Sequence, residues 1–88
     1  MNKKIWKFMV IGRGKVNITM PEDAEILSIH EQNGFICIWA LVSPDKLPES
    51  RDFMVIDTGE EFNSLNQRYL GSVHLACGDV YHVFGRRK

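Results

Sequence analysis

Apolar and polar positions alternate with a period of two along most of this chain, which is the pattern of half-buried strands. In residues 4–11, Trp6, Phe8 and Val10 share one side, and Ile5, Lys7 and Met9 the other. Residues 16–20 alternate again, with Val16, Ile18 and Met20 together. Joined by Gly12-Arg13-Gly14-Lys15, the two segments read as a first hairpin. Pro21 has no N–H to add to a ladder, so the Pro21-Glu22-Asp23 stretch is expected to end the strand and turn the chain.

The strongest pattern lies in residues 24–42, where two apolar runs flank Asn33-Gly34. That dipeptide readily supplies the two positive φ angles of a type I′ turn, so the stretch reads as the central hairpin of an antiparallel sheet. A two-residue turn pairs Gln32 with Phe35, His30 with Cys37, Ser28 with Trp39, and Ile26 with Leu41. These eight residues then share one mixed face, on which Trp39 sits beside His30, Ser28 and Cys37. The opposite face carries Glu31, Ile29, Leu27, Ile36, Ile38, Ala40 and Val42, and is the expected core side.

Residues 43–51 hold two prolines and read as an exposed loop, followed by a short strand over 53–57. Thr58-Gly59-Glu60-Glu61 fits a capping box, and Phe62, Leu65 and Tyr69 recur at helical spacing, predicting a short helix over 60–66. Residues 69–77 and 80–84 form a last hairpin about Gly78-Asp79. Residues 85–88 read as a solvated basic tail. The expectation is a single all-β domain over residues 1–88, mainly antiparallel. It has about seven short strands and one short helix, arranged as a compact sandwich or partly open barrel.

Composition narrows the function classes. At 88 residues there is room for one core only, and 44% apolar with 25% charged residues is an ordinary folded composition. Eleven basic residues balance eleven acidic ones, so no overall field draws in nucleic-acid polymers or anionic membranes. The lack of net charge also leaves little repulsion against self-association. No segment approaches the roughly 20 apolar residues of a spanning helix. The basic start is followed by a run that Lys7 interrupts, which predicts no signal peptide and a cytoplasmic protein. Cys37 and Cys77 lack a C-x-x-C spacing and read as reduced thiols within strands.

Catalytic and metal chemistry find little support in the residue pattern. No nucleophile elbow or metal-ligand spacing is present, and the acidic residues fall in loops or caps. If Gly78-Asp79 is a two-residue loop, His82 faces the side of Leu75 while His74 lies opposite, which disfavours a shared metal. No catalytic residue, metal or cofactor is expected. Gly12-Arg13-Gly14-Lys15 lacks the P-loop spacing, though its glycines and two cations could meet an anion. Trp39, beside His30, could stack on a flat ligand or anchor a partner. The expected ligand-binding residues are therefore Trp39, His30, Arg13 and Lys15.

The order KIWKF, MPEDAEILSIHEQNGFICIWALV, YLGSVHL and VYHVF resembles a family of small proteins of bacteriophages and prophages. That resemblance covers most of the chain but neither residues 12–15 nor 43–51, and it brings no reaction or site residues with it. It implies a phage accessory role in the host cytoplasm. The expected function is non-enzymatic binding: sequestration of a small nucleotide-like signal, or inhibition of a host protein. In the first version Arg13 and Lys15 meet phosphate and Trp39 stacks on a base, the site being completed across a homo-oligomer interface. The alternative is a structural or protein–protein interaction module with no small-molecule site.

Overall fold

A computed structural model describes residues 2–87. Its strands are β1 (Lys4–Val10), β2 (Gly14–Pro21), β3 (Glu25–Gln32), β4 (Phe35–Val42), β5 (Pro48–Asp57), β6 (Gln67–His74) and β7 (Val80–Arg86). They form two antiparallel sheets, one ordered β1-β4-β3 and the other β2-β5-β7-β6. The architecture is an open two-layer sandwich, not a closed barrel.

Each sheet turns one apolar face inward. Val10, Ile29, Ile36, Ile38, Ala40 and Val42 come from the three-stranded sheet. Val16, Met20, Phe53, Val55, Val73, Tyr81 and Val83 come from the other. Burying such side chains contributes about 1.5–3 kcal/mol each before the entropy of ordering is set against it. That burial is what holds the layers together.

The Asn33-Gly34 turn forms as the sequence implies, with φ of 53° and 85°. Gln32, His30 and Ser28 face Phe35, Cys37 and Trp39 as expected. Beyond Ser28 the register changes, because a bulge places the extra residue Leu27 opposite the gap. Ile26 therefore pairs with Ala40, and Glu25 takes Leu41. The bulge moves Ile26 to the core side and leaves Leu27 46% exposed, the reverse of the expected assignment.

Other expectations are corrected as well. Strands β1 and β2 are not a hairpin: β1 pairs with β4 and β2 with β5, so residues 11–13 carry the chain from one sheet to the other. Gly12 and Gly14, at φ of 111° and 67°, supply the left-handed backbone of that crossing. Strand β5 begins at Pro48, earlier than the loop reading of residues 43–51 allowed.

The short helix over 60–66 does not form. Instead Glu60 N–H donates to Asp57 O at 3.1 Å and Glu60 Oε1 accepts from Asp57 N–H at 3.0 Å, closing a turn with Gly59 at φ 89°. The segment then runs across the outer face of the four-stranded sheet, where Phe62 packs on Phe84 with ring centroids 4.8 Å apart. Packing on the sheet outweighs the weak helix propensity of Asn63, Ser64 and Asn66.

The last hairpin also has a longer loop than expected. His74 pairs with Val80 and Ser72 with His82, so His74 and His82 share a face instead of opposing one another. Cys77 lies exposed in that loop, outside any strand, whereas Cys37 is buried in β4; both thiols are free.

Candidate functional site

Alternation along β4 sends Ile36, Ile38, Ala40 and Val42 into the core and Cys37, Trp39 and Leu41 outward. The register adds Ile5, Lys7 and Met9 from β1, and Ser28 and His30 from β3, to the same outer face. Ile5, Met9, Leu27 and Phe35 are 60%, 41%, 46% and 49% exposed. Trp39 stands half-buried among them, its ring tilted 54° to that of His30 at 6.2 Å between centroids. Lys7 Nζ donates to Gln32 Oε1 at 2.7 Å, a bridge that spans β4. The structure thus unites Trp39 and His30 on an exposed, largely apolar surface with a polar border.

Arg13 and Lys15 lie elsewhere. Arg13 sits 3.7 Å from Asp57 Oδ2 and 4.1 Å over the ring of Tyr81. Burial pushes the Tyr81 phenol up, with Arg13 acting in the opposite direction. Lys15 reaches Asp52 Oδ2 at 3.6 Å on the outer face of the four-stranded sheet. There Asn17 Nδ2 donates to Asp52 Oδ1 at 2.9 Å and is, ahead of Lys15, the main reason the carboxyl is held below its usual range. The two cations therefore stand on carboxylates, and Lys15 is on the opposite side of the sandwich from Trp39. One chain does not bring the four residues into a single site.

A polar chain also lies on the outer face of the four-stranded sheet. Tyr69 Oη is 2.6 Å from Ser72 Oγ, Ser72 Oγ is 2.7 Å from His82 Nδ1, and His82 Nε2 is 2.8 Å from Thr58 Oγ1. Thr58 Oγ1 in turn donates to Val80 O at 3.4 Å. With Thr58 donating to Val80 O, the neutral Nε2–H tautomer of His82 would donate to Thr58 and accept at Nδ1 from Ser72, whose oxygen would accept from Tyr69. The Ser72–His82 pair has the spacing of a nucleophile and base. Here every member is satisfied within the chain, and the array fastens residue 58 to the sheet. Among the described residues no group of three or more His, Cys, Asp or Glu side chains is placed to hold a metal.

The site that sequence reading missed is an arginine-lined cleft of about 610 Å³ at one end of the sandwich. Arg51, Arg68, Arg86 and Arg87 line it together with Asp23 and Glu25. Arg51 and Arg68 pair with Ile18 and Gly85 on the inner side of their sheet, and the end of β7 delivers the other two. Arg51 Nη1 donates to Ala24 O at 2.7 Å. The four arginines are scattered over 37 positions of sequence, from 51 to 87, so no local motif announced them. The Arg86-Arg87 pair, read as tail, was the only hint.

A family model described as a domain of unknown function, DUF7352, matches residues 1–88. The chain belongs to this family. No curated protein and no solved structure matches it. What the DUF7352 domain offers to a partner is thus read from its own surfaces: the Trp39 face, the polar chain at His82 and the arginine cleft.

Proposed function

We infer that this DUF7352 domain is a non-enzymatic binding protein, a phage accessory factor that acts in the host cytoplasm by covering the surface of a host protein. The supporting observation is the outer face of the three-stranded sheet. Four large apolar side chains there stay more than two-fifths exposed around the half-buried Trp39. A single exposed apolar residue needs no explanation, but a contiguous group centred on an aromatic is how binding hot spots are built.

The same face suits self-association, because a neutral chain offers little repulsion to a second copy. A nucleotide-like site shared between Trp39 of one copy and Arg13 of another would need such a dimer, and both cations would have to leave their carboxylates. Masking of a protein surface requires neither step.

Phe35→Glu and Met9→Glu test this reading without opening the core, since both side chains are exposed. Sedimentation velocity and affinity capture from infected cells are the measurements. Each variant is expected to melt within about 2 °C of the parent, the range of a neutral surface change, and to lose the captured protein. Undiminished capture by both variants sinks the assignment of this face.

A further inference from the structure

We propose that the cleft between the sheets is a second binding site, which takes a phosphate-bearing ligand of nucleotide size. This goes beyond the proposed function, because the cleft lies between the layers and not on the Trp39 face.

After Asn17 and Lys15, Arg86 helps to hold the Asp52 carboxyl below its usual range, and the other three arginines of the cleft enter no ion pair among the described residues. Arg51 is half-buried, and its guanidinium is spent on neutral acceptors: Ala24 O at 2.7 Å and Met20 Sδ at 3.5 Å. Those bonds, with the Phe53 ring centroid 5.8 Å from its guanidinium carbon, fix its orientation. Among the described residues, Arg68 takes part in no ion pair, nor do Asp23 and Glu25. The cleft thus carries cationic donors and anionic acceptors that, among the described residues, form no ion pair with each other.

Arg87 is held in place from within: its N–H donates to Asn66 O at 2.7 Å and its Nε to Gln67 O at 3.4 Å. Arg86 borders both this cleft and a neighbouring one of about 230 Å³ that shares Arg51 and Arg87. Gly85 keeps the floor low, since a Cβ there would stand 3.0 Å from Leu70 Cδ1. A volume of about 610 Å³ falls within the usual span for small-molecule sites, roughly 300–1,000 Å³.

The occupant's chemistry follows from the lining. Guanidinium groups present planar forks of N–H donors that match phosphate oxygens, so the arginines take the phosphates. Asp23 and Glu25 accept from hydroxyl or amino groups at the ligand's other end, and Leu70 and Ile26 offer apolar contact between. Inorganic phosphate would satisfy only the arginines. A nucleoside diphosphate has both kinds of group.

The experiment is calorimetric titration of the full chain with ADP, adenosine and pyrophosphate, repeated on Arg68→Gln. Arg68 is exposed and, among the described residues, in no ion pair, so its replacement is expected to leave the melting temperature unchanged. Binding of ADP that is weaker by about tenfold or more in R68Q, the scale of one charge-assisted contact, supports the proposal. So does markedly weaker binding of adenosine and pyrophosphate than of ADP. ADP binding that R68Q leaves unchanged overturns the site, as does no ADP binding at millimolar concentration. Pyrophosphate binding as tightly as ADP overturns the nucleotide-sized part. Phe35→Glu provides the separating control, because it should abolish partner capture and leave ADP binding intact.

Discussion

Asp52 shows how a surface residue can carry pH dependence. Its carboxylate accepts from Asn17 and faces Lys15, and Asn17 Oδ1 accepts in turn from Ser50 Oγ at 2.7 Å. The folded state thus holds Asp52 below its ordinary range. A depressed carboxylate contributes stability above its unfolded value, about 3.9, and loses it as pH falls through the lower folded value. Asp52→Asn is therefore expected to lower the melting temperature slightly at pH 7, with the gap closing below about pH 4. Thermal unfolding of both proteins over pH 2–8 checks this, and a gap that widens in acid contradicts it. Arg13 illustrates the opposite lesson at the same scale. Beside two glycines it invited an anion, yet the fold sets it against Asp57 and Tyr81, partners 44 and 68 positions away in the chain.

Among the elements, the central hairpin was the most legible, because Asn33-Gly34 dictates the turn and the turn dictates the register as far as Ser28. The bulge at Leu27 was not legible. Leu27 and Ile26 are both apolar, so either could serve the core, and only the packed sheets decide. Pairing partners were equally hidden: β1 and β2 alternate like a hairpin, and alternation does not state which neighbour a strand will choose. The segment over 58–66 misled for another reason. Phe62, Leu65 and Tyr69 have helical spacing, but Phe62 is held by Phe84, Leu65 is 72% exposed, and Tyr69 belongs to β6. Phe62→Ala removes an aromatic pair and part of a buried ring, an expected loss of about 1–2 kcal/mol. Amide exchange should quicken across residues 58–66 while β3 and β4 keep their protection. Uniform acceleration throughout the chain would mean that the segment is integral to the core.

For the whole molecule, the order β2-β5-β7-β6 puts the final strand inside its sheet. Strand β7 hydrogen-bonds to β5 on one side and β6 on the other, and Tyr81 and Val83 complete the core at 2% and 0% exposure. A chain stopped after residue 79 would leave β5 and β6 without a common neighbour, and is expected to give the collapsed amide spectrum of an unfolded protein. A dispersed spectrum from that fragment would refute this. The arginine cleft has the same dependence, since Arg86 and Arg87 close it only when β7 is seated. The position of β7 also governs biosynthesis. While the ribosome still holds β7, the keystone of the four-stranded sheet is missing and its inner apolar face has no stable home. The four-stranded sheet can therefore close only once β7 has cleared the exit tunnel, with β3 and β4 waiting as the one local hairpin.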